Sequence, residues 1–364
     1  MVVPGGVDRS GEQRVVPVLL ALIQRLCRRH QIDVFALRQE PLADAWDMAG
    51  ARIHNIGDRW TRARAIATLC RVHRKSRPDV VHAIWSGSCG LVAVAAAAIL
   101  RSPSLIHIAG GELAAVPAIG YGGALRWQGR LREALVLHAA SAITAASEPV
   151  IASLARHRLR AQRVPLGVDL RTWPPRAPRR RTPGEPARLI HVASLNRVKD
   201  QVTLLSALSL LANEGRQFAM DIVGEDTLNG EIQAFAAQLG LLDRVRFHGF
   251  LPQQLLRPFM EAAHVMVVSS RHETGPVVVL EAAAVGVPTA GTLVGHIAEW
   301  SPQAATAVPV ADPPALAHAI GRLLADEELR LDMARKAHEL ALRQDADYTA
   351  AQFEDLYRAL AGRR

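Results

Sequence analysis

Aromatic side chains are scarce in this sequence, at 4% of residues, and cysteine is scarcer, with Cys27, Cys70 and Cys89 the full complement. Three thiols without metal-ligand spacing exclude a disulfide framework and a zinc module; they read as reduced cysteines of a cytosolic protein. Few aromatics and no nucleic-acid-binding signature argue against a nucleic-acid partner despite a net charge of +9. The apolar run Gly90–Leu100 is far too short to cross a membrane. The N-terminus opens on Pro4-Gly5-Gly6 rather than on a basic and then apolar segment, so no secretory signal is expected. No G-x-G-x-x-G follows the first expected strand, which weakens a nicotinamide oxidoreductase. The one Asp-x-Asp, Asp345-Ala346-Asp347, falls in a helical pattern and reads as a solvated face, so no metal site is expected.

What is present is length and alternation. A chain of 364 residues that is 49% hydrophobic can build two cores. Short β-rich runs alternate with helical runs, the pattern of doubly wound parallel sheets. Strands are expected at Met1–Val3, Asp33–Leu37, Val80–Ala83, Ser104–Ile108 and Ala142–Ala145 in the first half. In the second half they are expected at Leu189–Ala193, Met220–Val223, Val245–Phe247, Val265–Val268 and Pro288–Gly291. Between the halves, the proline- and arginine-rich stretch 171–188 lacks apolar periodicity and reads as a linker. The expected organisation is therefore a domain over 1–170, the linker, a second domain over 189–344, and a helix within 345–364 that returns toward the first domain. Charge divides the same way: residues 1–170 carry a net +10, the linker +5 and the remainder −6. A basic first half suits an anionic substrate or an anionic membrane surface.

The most informative segment runs from Ser269 to Glu299. Glu273 and Glu281 stand eight positions apart, with Thr274, Gly275, Pro276 and an apolar run between them. Pro276 suits a first helical turn, Gly286 a C-terminal cap, and Pro288 blocks continuation, so a helix of about ten residues is expected from Pro276 to Val285. Its positive end faces the loop carrying Glu273, a ready place for phosphate. A carboxylate at Glu281, inside an Ala/Val-rich helix, needs either solvent or a polar partner.

This segment resembles the donor-binding element of family 4 retaining glycosyltransferases: a Glu, seven residues, Glu-Ala, then Gly-x-Pro and a later Gly-x-x-Glu. The matching residues are Glu273, Glu281-Ala282, Gly286-Val287-Pro288 and Gly295-His296-Ile297-Ala298-Glu299. Arg163-Val164-Pro165-Leu166-Gly167-Val168-Asp169, Ile222-Val223-Gly224 and Val245-Arg246-Phe247-His248-Gly249 resemble further family motifs, in the family's order. The resemblance covers nearly the whole chain. It implies the GT-B fold, two Rossmann-like doubly wound α/β domains facing a central cleft.

The resemblance also implies roles. Glu273 would approach the donor sugar and Glu281 the ribose hydroxyls, because a carboxylate accepts several charge-assisted hydrogen bonds. Lys199 keeps the family's Lys after the second domain's first strand, while Ser194 stands where the family usually has Arg. Arg197, three residues later, is expected to share the diphosphate with Lys199. Gly5 and Gly6 resemble the family's first loop, and Gly224 its glycine after a strand. The family more often has Gly-Phe-Gly where this chain has Thr274-Gly275-Pro276, so Thr274 and the N–H groups of Gly275 and Val277 must replace a donor that proline lacks. The family's usual histidine position, aligned on Gly110-Gly111-Glu112, holds Ala109; His107, two residues earlier, is the expected catalytic histidine, and His82 a second candidate. The implied activity is metal-independent, cofactor-free retaining transfer of a sugar from a UDP- or GDP-sugar to a lipid-linked or polysaccharide-type acceptor. It is expected in the cytoplasm, with peripheral contact to anionic lipid on the inner membrane face. A nucleotide-sugar-binding subunit without turnover and a GT-B-fold epimerase remain alternatives, the first motivated by Ala109 and Ser194.

Overall fold

The computed structural model describes residues 1–182 and 184–362, and the chain divides into two compact units. One comprises Met1–Gly167 together with the segment from Ala346 onward; the other is Val168–Asp345.

The first unit is built on an eight-stranded sheet. Its strands are β1 (Val2–Val3), β2 (Asp33–Ala36), β3 (Asp44–Met48), β4 (Ala51–Asn55), β5 (Val81–Ile84), β6 (Ser104–Ile108), β7 (Ala142–Ala145) and β8 (Gln162–Arg163), in the order β3-β4-β2-β1-β5-β6-β7-β8. All neighbours are parallel except the β3–β4 hairpin. Its two-residue turn, Ala49-Gly50, has positive φ at both positions (51° and 85°), the handedness a tight hairpin requires. The helices are α1 (Pro17–Leu26), α2 (Thr61–Val72), α3 (Gly87–Leu100), α4 (Trp127–Ala139) and α5 (Glu148–Arg156). Helix α3 is alanine-rich and largely buried, because small side chains let it lie close to α2, α4 and the sheet.

The second unit carries a six-stranded, all-parallel sheet in the order β11-β10-β9-β12-β13-β14. Here β9 is Ala187–Val192, β10 Phe218–Val223, β11 Val245–Phe247, β12 Val265–Val268, β13 Thr289–Thr292 and β14 Ala305–Val308. Helices α6 (Gln201–Asn213), α7 (Glu231–Gln238), α8 (Gln253–Ala262), α9 (Val277–Ala284), α10 (Gly295–Trp300), α11 (Pro313–Ala325) and α12 (Glu327–Arg343) complete it. Every residue of β12 is buried, as a central strand covered on both faces must be. Two cores result: one gathers α6 and α11 on one face, and the other gathers α9 on the opposite face.

The last helix, α13 (Ala346–Ala361), packs against α1. Its own Phe353 is fully buried, and its Asp347 pairs with the buried Arg25 at 2.9 Å. Asp347 is exposed, as a solvated face requires, and is in addition tied to a structural arginine.

The proline- and arginine-rich stretch departs in part from expectation. Among its described residues, 171–188 without Pro183, it groups with the second unit rather than standing between two units, while most of its side chains are exposed as in a solvated loop. Trp173 is 1% exposed in the α9 core, and the Arg176 N–H donates to the Ala284 carbonyl at 3.0 Å. The buried Arg330 donates to the Arg179 carbonyl at 2.7 Å, and Arg181 N–H to Glu327 at 2.8 Å. One backbone carbonyl and one N–H fixed by side chains of α12 do here what periodic apolar residues do elsewhere. Gly286 belongs to the same contact, because at φ 77° an added Cβ would lie 2.6 Å from the Pro178 nitrogen.

Candidate functional site

In the second unit the loops after β9, β10 and β12 come together at the carboxyl ends of adjacent parallel strands, where open α/β sheets lodge ligands. The first two loops are zipped. Leu195 N–H donates to Glu225 O at 2.8 Å, and Thr227 Oγ1 to Leu195 O at 2.7 Å. Gly224 sits where they touch: with φ 155°, a Cβ there would be 1.9 Å from the Ala193 carbonyl oxygen, so no side chain fits.

Lys199 follows from this loop. Asn196 Oδ1 accepts from the N–H groups of Val198 (3.0 Å) and Lys199 (3.1 Å), closing the turn. Asp200 then caps α6 by accepting from Thr203, which places Lys199 immediately before the helix. The loop after β12 is stitched alongside: Ser269 Oγ donates to the Lys199 carbonyl (2.7 Å), and Arg271 N–H to the Val198 carbonyl (2.7 Å). Lys199 Nζ consequently meets Glu273 Oε1 at 2.5 Å, and Ser270 Oγ donates to the same oxygen at 2.7 Å. The two residues are 27% and 14% exposed in their side chains, so the pair is shielded yet reachable from solvent.

Helix α9 begins beside this pair. Pro276 is its N-cap rather than its first helical residue, and no side chain caps the N-terminus. The N–H groups at its start, Val277 among them, therefore remain available to an anion. Thr274 is buried, and Gly295 packs against the loop: its φ is 47°, and a Cβ there would strike Pro276 Cδ at 2.7 Å. One turn into α9, Glu281 accepts from Gln253 Nε2 at 2.9 Å. It keeps part of its surface open, while the enclosure around its carboxyl pushes its pKa up to about 7. Gln253 and the nearby Trp173 indole offset that rise only in part.

The structure thus brings Lys199, Glu273, Thr274, Gly275, Val277 and the Gly224 contact into one strand-end region, with Glu281 on the helix that enters it. Arg197 is not in the Lys199–Glu273 cluster: it is exposed and its guanidinium lies 3.4 Å from Glu231. Arg271 was missed in the sequence. It lies in the Glu273 loop and pairs with Asp200 at 2.8 Å, a partner 71 positions away that no spacing signals. Gln253 and Trp173, both beside the Glu281 carboxyl, were likewise invisible.

In the first unit, Gly5 and Gly6 follow β1. Gly6 has φ 80°, and a Cβ would meet Val16 Cγ2 at 2.6 Å, so the glycine serves a tight approach of the chain to itself. The catalytic assignment of His107 is corrected. Its side chain is fully buried, bonded through Nδ1 to Thr144 Oγ1 (3.0 Å) and edge-on to Phe353 of α13. Burial pushes its pKa down to about 3, so the ring is neutral, and it is sealed from any substrate. His82 is equally enclosed, with Nδ1 2.7 Å from the Tyr357 hydroxyl.

The comparisons agree with this layout. Residues 177–340 match the model of glycosyl transferases group 1, and residues 15–167 match that of the glycosyl transferase 4-like domain. A D-inositol 3-phosphate glycosyltransferase of Corynebacterium urealyticum is 32% identical over 226 residues, 56% of this chain and 52% of the relative. The chain spans about half the length of the curated relatives it matches. Sucrose-phosphate synthase from Thermosynechococcus elongatus superposes with a TM-score of 0.83 at 20% identity, covering 100% of this chain and 99% of that one. Anabaena HepE, solved in complex with UDP and glucose, gives 0.75 at 17% identity, with 99% of each chain covered. The fold is GT-B, and the chain belongs to the group 1, family 4-like glycosyl transferases.

Proposed function

We propose that the protein is a retaining glycosyltransferase that moves a sugar from a UDP- or GDP-sugar to a lipid-linked or polysaccharide-type acceptor, without metal or cofactor. The observation that carries this reading is the Lys199–Glu273 pair beside the uncapped start of α9, with Glu281 one turn below. A nucleotide-sugar presents a ribose, a diphosphate and a pyranose in that order. The site offers a carboxylate for the ribose hydroxyls at Glu281, free N–H groups and a cation for the diphosphate, and a second carboxylate beside that cation for the sugar. HepE, a protein of like fold, is solved with UDP and glucose, which supports a nucleotide-sugar donor.

In this reading Lys199 and the α9 N–H groups stabilise charge on the departing diphosphate. Glu273 positions the donor sugar through its hydroxyls. Attack comes from the face the leaving group departs, so the diphosphate itself accepts the acceptor's proton and no histidine base is required. The buried state of His107 fits that economy. Incubation with radiolabelled UDP- and GDP-sugars, scoring hydrolysis and transfer, tests the reading. Release of sugar from one donor supports it; binding without turnover across the panel leaves a binding subunit.

Membrane contact belongs to the same proposal. On α4, Trp127, Leu131 and Leu135 are 64%, 61% and 53% exposed and recur every four residues, flanked by exposed Arg126 and Arg130. An apolar stripe edged with arginine suits the interface of an anionic bilayer. Among the described residues, no helix is long and apolar enough to cross a membrane. Co-sedimentation with anionic vesicles that is lost in Leu131→Glu and at high salt supports the contact; indifference to such vesicles at low salt removes it.

A further inference from the structure

The carboxyl ends of β1, β2 and β5 in the first unit open onto a cavity of about 680 Å3. Pro4 and Leu37 contribute to its lining, but four side chains give it its character: Trp60, Trp85, Arg38 and Arg62. Both tryptophans have left-handed backbone, with φ 50° at Trp60 and 69° at Trp85. For a bulky residue that conformation costs free energy and persists only where the surroundings enforce it.

At Trp85 the enforcement is visible. Its N–H donates to the His107 carbonyl at 2.9 Å. The next residue, Ser86, is fully buried; its N–H donates to Glu112 Oε1 (2.9 Å) and its hydroxyl to Glu133 Oε2 (2.5 Å). The Gly87 N–H is 3.3 Å from the same Glu133 oxygen. Gly110 must be a glycine, since a Cβ there would lie 2.8 Å from Trp85 Cδ1. Two carboxylates are thus drawn inside the unit to hold one turn, and what that turn presents is an indole. Trp60 is presented differently, at the start of α2, and is 84% exposed. Leaving so large an apolar ring in water is unfavourable unless something covers it.

The charges point to the ligand. Arg9, Arg14, Arg25 and Arg29 of this unit all pair with carboxylates. Arg38 and Arg62, both exposed, make no ion pair among the described residues. Among the described residues, Asp58 is the one carboxylate on the lining, so the cavity keeps a positive balance. Aromatic faces suit the C–H face of a pyranose, and a free guanidinium suits a carboxylate or phosphate bidentately.

We infer that this cavity is an acceptor subsite for a glycan unit carrying a carboxylate or a phosphate, with Trp60 and Trp85 against the ring and Arg38 and Arg62 on the anion. The inference rests on the glycosyltransferase reading for the word acceptor, but the binding itself is testable without turnover.

The experiment is calorimetry on the full chain with three probes: methyl glucoside, methyl glucuronide and glucose 6-phosphate. At least one anionic probe binds tenfold or more tightly than the neutral one, and added salt erodes the difference; which anion wins separates a uronate from a phosphate source. Arg38→Gln or Arg62→Gln removes about tenfold of the anionic preference, the scale of one charge-assisted hydrogen bond, and leaves the neutral probe unchanged. Trp60→Ala, a substitution at an exposed position, weakens all binding probes. Arg64→Gln, on the same helix but off the lining, changes nothing. Equal affinity for the three probes, no binding of any, or insensitivity to both Trp60→Ala and Arg62→Gln overturns the assignment. UDP titration of the same samples keeps the two readings apart: UDP binding with silent probes sinks the subsite alone, whereas absent UDP and GDP binding sinks the donor reading.

Discussion

Replacing Glu281 by glutamine perturbs one atom of the proposed ribose contact, and the structure sets both the size and the pH dependence of the effect. The carboxyl is held by Gln253 at 2.9 Å and enclosed enough to raise its pKa from the ordinary 4.5 to about 7. Loss of a charge-assisted hydrogen bond to a ribose hydroxyl costs roughly 1.5–3 kcal/mol. That is about a ten- to hundredfold weaker affinity for free UDP or GDP. Because the ionised form is the better acceptor, wild-type affinity rises as pH goes from 6 to 8, while the glutamine variant lacks that component. Titration of the nucleotide's own phosphate is common to both proteins, so the ratio of their affinities is the quantity to read by calorimetry. Stability moves the opposite way. The unfolded chain loses this proton near 4.5 and the native state near 7, so between those values the native state holds more protons and stability falls as pH rises. Glu281→Gln in the ligand-free protein is therefore more heat-stable than wild type at pH 8 and little changed at pH 4. Unchanged nucleotide affinity across pH 6–8, with a lower melting temperature at pH 8, would refute both the contact and the cause given for the raised pKa.

Lys199→Ala should weaken UDP far more than uridine, because the lost charge faces the diphosphate; equal losses for both would place Lys199 elsewhere. Lys199→Arg should recover only part of the affinity, since a forked guanidinium does not reproduce a point charge. Trp173→Ala empties a fully buried site in the second unit and should cost about 3–5 kcal/mol. At roughly 2–4 °C per kcal/mol for a unit of this size, calorimetry should show its melting fall by several degrees or more; an unaltered transition would mean that 171–188 is a linker after all.

The central strands of both sheets were legible because their apolar β-branched runs are short and bounded by turn residues, as in Val265–Val268. The helix after Glu273 was legible from Gly286 and Pro288, one residue off at its start because Pro276 caps rather than opens it. The β3–β4 hairpin escaped notice: Asp44 and Asp47 lie in an edge strand, and its turn is Ala-Gly rather than the more telling Asn-Gly. Helix α8 was hidden by Pro258 within it, an expected helix breaker. Trp173 was hidden among prolines and arginines, because its partners lie on helices far along the chain. His107 was misjudged for a related reason. Period-two alternation says which face of β6 it occupies but not that Phe353, from the last helix, closes that face. Lys199 and Glu273 were each singled out by motif, yet their 2.5 Å contact follows from Ser269 and Arg271 stitching two loops, which no local pattern contains.

The account stands most directly on Glu273. Its partner in the donor would be the sugar, absent from free UDP or GDP, so the contact operates only with the intact donor and strengthens toward the transition state. The measurement is free-nucleotide affinity and transfer rate, side by side, for Glu273→Gln, with a melting curve to confirm folding. The account predicts nucleotide affinity that is unchanged or slightly tighter, because Lys199 is released toward the diphosphate, and kcat/KM lower by about two orders of magnitude, equivalent to roughly 3 kcal/mol of transition-state stabilisation. Full transfer by a folded Glu273→Gln protein with its own donor would contradict it.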